Sequence, residues 1–337
     1  MDKVVLAGTP KHLELSAELG KNKRDFLLLN ISGTCNYNCK KCCNLVPNKR
    51  VGISLSQVKS IISEAREKFG IRSVAFIGEG ETTLAPNFKE IIRHANSEKL
   101  HSIIFTNGYF INPQMAKFLE SNNVSIVFSV DSLKKGAYEE LTGTRGTFDR
   151  VMKNIKNCRR IYSEKIKYEN NNMVLFLAIN MLLMKSNIGE IKTLKKFCGN
   201  DILPIFNYPM ITGNAENNLD LFGALNKTGI KKLKELAFKS SPNKGPTNIC
   251  PHEEICGYFK YGLSIGCDGS ILPCPYSLEY TNILGNIREL KLENALETQK
   301  TLVKDFRKLD EKCYCIMRSS KYKELLSKYR RKSDRKN

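Results

Sequence analysis

Three cysteines near the start of the chain have types and spacing that could do chemistry together: Cys35, Cys39 and Cys42. Thiols at intervals of four and three residues fit in one loop and can converge on one metal centre. A four-iron cluster has four corner irons, so three cysteine ligands leave one iron open to a ligand from outside the protein. Structural zinc usually takes four protein ligands, and here no fourth Cys or His sits at a matching interval. The spacing therefore favours an iron–sulfur cluster with one open iron.

This C-x3-C-x2-C pattern, directly after the apolar residues 26–31, resembles the signature of the radical S-adenosylmethionine (SAM) superfamily. The resemblance implies that the three cysteines hold a 4Fe-4S cluster whose open iron binds SAM. An electron from that cluster, delivered by a flavodoxin- or ferredoxin-type donor, cleaves SAM to methionine and a 5′-deoxyadenosyl radical, which removes a hydrogen atom from the substrate. The family usually has an aromatic residue just before the third cysteine, whereas this chain has Lys41.

A glycine-rich turn follows the next apolar segment, in the run Gly78-Glu79-Gly80-Glu81-Thr82. Glycine lets the end of a strand turn sharply, so that the backbone can approach a ligand closely. Taken alone, the run would describe a tight turn with two surface glutamates. It resembles the Gly-Gly-Glu-Pro motif of the same family, with Thr82 in place of the proline. The resemblance implies that Gly80 lies against SAM and that Glu81 orients its amino group.

Polar residues also follow two later apolar segments. Ser129 and Asp131 occupy alternate positions and share one face of a strand, and the resemblance implies that they contact the SAM ribose or carboxylate. Arg145 lies in the loop that follows, where it either binds the SAM carboxylate or is an ordinary surface arginine. Asn187 comes after the next strand, as a further polar contact or as the N-cap of a helix.

Apolar strands alternate with amphipathic helices through the first two thirds of the chain. Strands are predicted at residues 26–31, 73–77, 102–105, 124–130, 173–183 and 202–206, and helices at 54–69, 88–97, 113–121, 147–162 and 188–197. This alternation predicts a parallel sheet with crossovers of the usual hand. It does not by itself separate an open doubly wound sheet from a partial barrel. The resemblance implies an α/β fold built on a partial (β/α)6 TIM-like barrel, whose chemistry lies at the C-terminal ends of the strands.

A second group of cysteines lies towards the end of the chain. Cys256, Gly269 and Cys274 form a C-x12-G-x4-C segment that resembles the twitch or SPASM module of many radical SAM enzymes. The resemblance implies a second, auxiliary 4Fe-4S cluster, with Cys313 and Cys315 as its late ligands. Cys250 and Cys267 are rivals for one of these positions. A structural zinc is the main alternative, because four thiolates suit zinc equally well.

These motifs divide the chain into five predicted parts. They are an N-terminal lead at residues 1–24, the radical SAM barrel at 25–215, a linker at 216–249, the small C-terminal cysteine-rich auxiliary cluster domain at 250–318 and a basic tail at 319–337.

Composition limits the classes of protein to consider. The chain has 337 residues, of which 26% are charged and 41% hydrophobic, as in ordinary soluble globular proteins. Its twelve cysteines, without a secretory leader, argue for metal or redox chemistry and against disulfides. The longest apolar run, residues 173–184, is too short to span a bilayer. We therefore expect a cytoplasmic protein with no membrane partner.

The net charge of +20 could reflect nucleic acid, a phosphorylated substrate or an acidic protein partner. The charge is densest in residues 321–336, but no RNA- or DNA-binding motif accompanies it. A metal-stabilised nucleic-acid-binding protein is therefore an alternative that charge alone supports.

The resemblance favours a radical SAM oxidoreductase whose auxiliary cluster accepts an electron, for example in dehydrogenation of a small-molecule alcohol. Residues 1–24 are too short for the precursor-binding domain of many peptide-modifying relatives, which favours a small substrate over a peptide. Pro275 stands where sulfatase-maturing relatives carry an acidic residue. The alternatives are a peptide or protein maturase, and an epimerase in which the thiol of Cys267 or Cys250 returns hydrogen to the substrate.

Overall fold

The structure is a computed structural model that describes residues 3–15, 26–44, 52–207, 209–210, 212–222, 256–277, 284–309 and 320–333. The strands are β1 (Val4–Leu6), β2 (Phe26–Leu29), β3 (Ser73–Phe76), β4 (His101–Thr106), β5 (Val124–Ser129), β6 (Lys167–Glu169), β7 (Asn172–Leu175), β8 (Leu177–Leu182), β9 (Leu203–Asn207), β10 (Gly262–Ile265) and β11 (Ile271–Leu272). The α-helices are α1 (Pro10–Leu15), α2 (Leu55–Phe69), α3 (Phe88–Ser97), α4 (Pro113–Ser121), α5 (Lys135–Thr142), α6 (Phe148–Ile161), α7 (Ile191–Cys198), α8 (Gly257–Tyr261), α9 (Leu292–Arg307) and α10 (Ser320–Ser333). Within these residues, no helix is long and apolar enough to cross a membrane.

Local sequence signals set the ends of these elements. Ser54 caps α2 in a reciprocal capping box, in which the Gln57 amide N–H donates to Ser54 Oγ and the Ser54 N–H donates to Gln57 Oε1. The helix ends at Gly70, whose φ of 65° is left-handed. Between these caps, one face of the helix is buried through Val58, Ile61, Ile62 and Ala65. The predicted helix at 54–69 is therefore present, with Ser54 as its cap.

The chain divides into two compact units. The first comprises Met1–Ser16, Cys35–Leu45 and Ile103–Ile249, and the second comprises Ala17–Thr34, Val46–Ser102 and Cys250–Asn337. The division falls within β4, which contributes residues to each unit.

In the second unit the strand order is β11-β10-β2-β3-β4, and in the first it is β4-β5-β8-β9. The pairs β10–β2, β2–β3, β5–β8 and β8–β9 are parallel, and β11 returns antiparallel to β10. Within each unit the strands from β2 to β4 and from β4 to β9 follow the order of the chain, whereas a doubly wound sheet reverses its order at a switch point. The predicted α/β partial barrel with a small cysteine-rich module is confirmed.

The predicted strand at 173–183 is two strands. β7 pairs in parallel with β1 in a separate three-stranded sheet of order β1-β7-β6, while β8 lies between β5 and β9. Apolar residues run continuously through both strands, so nothing in the local pattern marks the break. It arises because the pairing partner changes, and β1 comes from the N-terminal lead, in which no strand was predicted.

Candidate functional site

The loop that carries Cys35, Cys39 and Cys42 is held on one side by the end of α5. The amides of Asn38 and Lys40 donate to the carbonyls of Thr142 (3.2 Å) and Leu141 (2.9 Å). These carbonyls are available because α5 ends there and leaves them without helical partners. The loop is thereby fixed through its backbone and needs no regular secondary structure of its own.

A second segment, residues 212–215, holds the same loop through its carbonyl groups. The Ala215 amide donates to Cys42 O (2.9 Å), Asn214 Nδ2 donates to Cys39 O (2.8 Å), and Thr212 Oγ1 donates to Cys43 O (2.9 Å). Gly213 has a φ of +60°, and a Cβ there would lie 2.6 Å from Cys43 O. Sequence reasoning assigned no site residue to this segment. The Gly213-Asn214 pair, a common turn signal, was the local sign.

The three thiols lie close enough to influence one another. Cys35, Cys39 and Cys42 are all half-buried, and the Tyr37 amide donates to Cys35 Sγ at 3.4 Å. The pKa of Cys39 is raised to about 12, chiefly by burial; Lys41 opposes this rise, and the neighbouring thiols of Cys42 and Cys35 contribute to it. Three thiolates in one spot therefore need a positive centre, which an iron–sulfur cluster supplies, since metal ligation deprotonates cysteine.

Among the described residues, no three His, Cys, Asp or Glu side chains form a ready-made metal-binding group. The fit to a cluster rests on the type, the spacing and the mutual electrostatic influence of the three thiols.

Lys41 forms a buried ion pair with Asp131. Lys41 is 9% exposed and Asp131 is 2% exposed, and the ammonium group contacts Asp131 Oδ2. Burial alone would lower the pKa of Lys41, but the attraction of Asp131 and then of Cys39 outweighs burial and raises it. The other carboxylate oxygen, Oδ1, accepts a hydrogen bond from the Leu182 amide at 2.7 Å. Asp131 therefore ties the cysteine loop to the ends of β5 and β8.

The side chain of Asn187 is fully engaged with its own chain. Its Nδ2 donates to Asp131 O (2.8 Å) and Leu182 O (2.7 Å), and its Oδ1 accepts from the Met184 amide (2.8 Å). The structure thus brings Asn187 and Asp131 together. Asn187 begins the turn Ile188–Glu190 without a side-chain cap to it.

The other two predicted contacts of the first unit are placed differently. Ser129 is half-buried at the end of β5, where it pairs in register with Asn180. Arg145 is exposed in the loop between α5 and α6. The roles of these residues in SAM binding remain predictions.

In the second unit, the glycine-rich turn after β3 packs against Thr34. The Glu81 amide donates to Thr34 O at 2.7 Å. Gly80 has a φ of +79°, and a Cβ there would lie 2.3 Å from the same oxygen, so no other residue fits. Glu81 is 2% exposed, and its Oε1 accepts from Thr83 through the amide (3.1 Å) and the hydroxyl (2.6 Å). The alternative of a tight turn with surface glutamates does not describe Glu81, whose side chain is buried, and its role in SAM binding remains a prediction.

The neighbouring Glu79 is buried as well. Its Oε1 accepts from Asn30 Nδ2 at 3.4 Å and lies 4.0 Å from Cys267 Sγ. Cys267, which the sequence offered as an auxiliary ligand or as a hydrogen donor, is 5% exposed beside this carboxylate.

The predicted auxiliary cysteines flank a short hairpin. Cys256 directly precedes α8, and Cys274 follows β11. The amide of Cys274 donates a hydrogen bond to Ser277 Oγ at 3.1 Å. Gly269 has a φ of +83° and donates through its amide to Gly266 O in the turn between β10 and β11. Cys250, Cys313 and Cys315 lie outside the described residues. The auxiliary ligand set therefore remains a prediction.

Two protein families match this chain. Residues 29–185 match the radical SAM superfamily, and residues 256–336 match SPASM, an iron–sulfur cluster-binding domain. Together these matches cover more than two thirds of the chain.

Several characterised proteins are similar over most of the chain. The tungsten-containing aldehyde ferredoxin oxidoreductase cofactor-modifying protein of Pyrococcus furiosus is 23% identical over 82% of this chain and 81% of its own. Mycofactocin maturase MftC of Mycobacterium tuberculosis is 23% identical over 75% of this chain and 65% of its own. The crystal structure of Streptococcus suis SuiB bound to precursor peptide SuiA has a TM-score of 0.59 and 19% identity, and covers 76% of this chain and 60% of SuiB.

This chain covers only part of the length of several of these proteins. This chain spans less than two thirds of MftC and of SuiB, and as little as 37% of another curated relative.

Proposed function

We infer the reaction of this chain from its family, since it belongs to the radical SAM superfamily and carries a C-terminal SPASM domain. It is a radical SAM enzyme whose cofactors are SAM and 4Fe-4S clusters. When bound, cluster and SAM together supply hydrogen-atom abstraction from a substrate carbon.

We assign Cys35, Cys39 and Cys42 as ligands of the SAM-binding cluster. Hydrogen bonds to the end of α5 on one side and to residues 212–215 on the other form a clamp that holds these cysteines in one half-buried loop. Their mutual repulsion as thiolates favours a bound positive centre. Glu81 is the candidate partner of the SAM ammonium group, because a buried carboxylate is stabilised by a cation. Gly80 allows the turn that carries Glu81 to pack closely against the backbone of Thr34.

For the substrate, we propose a peptide or protein, so that the chain acts as a maturase. The observation that carries this choice is the similarity, over at least three quarters of this chain, to relatives that include a maturase and a cofactor-modifying protein. The solved complex of similar fold contains a precursor peptide. The sequence favoured dehydrogenation of a small-molecule alcohol, but these relatives support the maturase alternative better.

The cofactor assignment is tested by SAM cleavage. Anaerobically reconstituted protein is incubated with SAM and dithionite, and 5′-deoxyadenosine is measured by liquid chromatography. The Cys35→Ala/Cys39→Ala/Cys42→Ala variant should produce none, whereas Cys158→Ala, at a buried cysteine outside both motifs, should cleave SAM as the parent does. Undiminished 5′-deoxyadenosine from the triple variant would refute the ligand assignment.

The substrate class is tested with peptides encoded beside this gene. A maturase should change the mass of such a peptide in a reaction that needs SAM, with substrate deuterium appearing in 5′-deoxyadenosine. Epimerisation would instead place one solvent deuterium at a carbon of the product without oxidation. Turnover of small alcohols with all neighbouring peptides unchanged would overturn the peptide proposal and leave the radical SAM assignment intact.

A further inference from the structure

The residue between the second and third cysteines of the loop is a buried lysine in an ion pair, where relatives usually carry an aromatic side chain. We propose that the positive charge of Lys41 raises the reduction potential of the cluster held by Cys35, Cys39 and Cys42. Asp131 fixes the place of its ammonium group. This inference rests on the proposed ligand role of the three cysteines.

The ion pair anchors the cysteine loop, but anchoring alone does not require two buried charges. Both partners are more than 90% buried, with Lys41 at 9% and Asp131 at 2% exposure. The desolvation of two charges commonly offsets their attraction, and apolar replacements of similar volume are often neutral or stabilising. Apolar side chains at both positions could therefore anchor the loop without the desolvation of two charges. What the lysine adds is a fixed positive charge.

That charge lies next to the thiols. Lys41 directly precedes Cys42 and is separated from Cys39 by one residue, whereas Asp131 follows β5. Cys39 and Cys42 in turn favour the charged form of Lys41. The positive charge of the pair therefore belongs to the cysteine loop itself, and its counter-charge belongs to the sheet.

The ammonium group cannot easily move away. Asp131 is anchored by the Leu182 amide on Oδ1 and by Asn187 Nδ2 on its carbonyl oxygen. These two contacts come from the end of β8 and the turn after it. The position of the charge is thus set by the sheet and not by the loop alone.

A fixed positive charge makes reduction easier. One-electron reduction by a low-potential donor adds one negative charge beside the thiolates and takes no proton from Lys41. A nearby cation in a poorly screened interior favours the more negative state, and charge near a cluster is one of the terms that set its potential. Removing the cation should therefore lower the potential, and removing the Asp131 charge should raise it.

The test is a redox titration of the reconstituted full-length protein, followed by the EPR signal that SAM perturbs, which identifies the SAM-binding cluster. Lys41→Met should shift the one-electron equilibrium about tenfold towards the oxidised state, or about 59 mV lower. Asp131→Asn should shift it in the opposite direction. The double variant should fall below the parent but by less than Lys41→Met, and Lys41→Arg should stay near the parent.

Lys40→Met is the matched control. Lys40 lies in the same loop, but its side chain is 39% exposed and pairs with Glu140 on the surface at 3.1 Å, where water screens the charge. The reduction potential of the cluster in Lys40→Met should equal that of the parent protein. Equal shifts in Lys40→Met and Lys41→Met would overturn the proposal.

An unchanged potential in Lys41→Met with full iron and sulfide content would also overturn it. If Lys41→Met does not assemble a cluster, Asp131→Asn and the double variant decide, and no change in either refutes the proposal. A parent protein with no SAM-perturbed signal would mean that the ligand assignment itself has failed. That result is distinct from a parent-like potential in the variants.

Discussion

At the scale of single residues, glycine decides how closely α5 can approach the cysteine loop. Gly143 ends α5 with a φ of +63°, and a Cβ there would lie 2.5 Å from Asn38 O. Gly136 lies in the same helix, has no positive φ and would place a Cβ in open space. Replacement by alanine should therefore be harmful at Gly143 and tolerated at Gly136.

We expect Gly143→Ala to destabilise the protein by about 1–3 kcal/mol, because the left-handed backbone is strained with a side chain and the loop must shift. Gly136→Ala should be neutral or slightly stabilising, since alanine favours a helix. Thermal unfolding of the cluster-free protein measures both. Equal melting temperatures for the two variants would show that the close approach does not matter.

At the scale of elements, the segment after β9 holds the cysteine loop through hydrogen bonds to its carbonyl groups. The 3-10 segment Gly213–Leu221 begins at Gly213, and its buried Ala215 packs with Leu141, Met184 and Phe222. The same apolar cluster thus holds the end of α5 and the segment that binds the loop carbonyls. Both sides of the clamp depend on it.

Asn214→Ala should loosen the cysteine loop, because it removes the donor to Cys39 O, a hydrogen bond worth about 1 kcal/mol. We expect iron to be lost to a chelator several times faster than from the parent protein. Asn217→Ala is the control, since Asn217 is exposed on the same segment. Iron loss at the parent rate from Asn214→Ala would remove this segment from the site.

At the scale of the whole molecule, the second cluster decides between oxidation and redox-neutral chemistry. Residues 256–336 match an iron–sulfur cluster-binding domain, and Cys256 and Cys274 have the spacing of that module. A cluster there can accept the electron that a substrate radical gives up, whereas zinc cannot.

Protein lacking Cys35, Cys39 and Cys42 should therefore retain about four irons and four sulfides after anaerobic reconstitution. Adding Cys256→Ala and Cys274→Ala should remove them, while adding Cys158→Ala and Cys198→Ala at two buried cysteines should not. Iron, sulfide and zinc analysis checks this. Zinc without sulfide would make the module structural and exclude it as the electron acceptor.

The sequence by itself determined the features that depend on neighbours along the chain. The cysteine spacing identified the family and its cofactors, because Cys35, Cys39 and Cys42 lie within one short stretch of the chain. The alternation of strands and helices predicted the α/β fold, and the caps of α2 set its ends, because hydrophobic periodicity and capping are local.

Only the tertiary structure decided the features that join distant residues. It split the apolar run at 173–183 between two sheets, since a strand's partner is chosen in space. It hydrogen-bonded residues 212–215 to the carbonyls of the cysteine loop. It also engaged the side-chain amide of Asn187 in hydrogen bonds to backbone groups. It also turned Lys41, a departure from the family pattern, into the partner of Asp131, 90 positions away. No local pattern records such pairs, because the energy of each depends on burial that the whole fold creates.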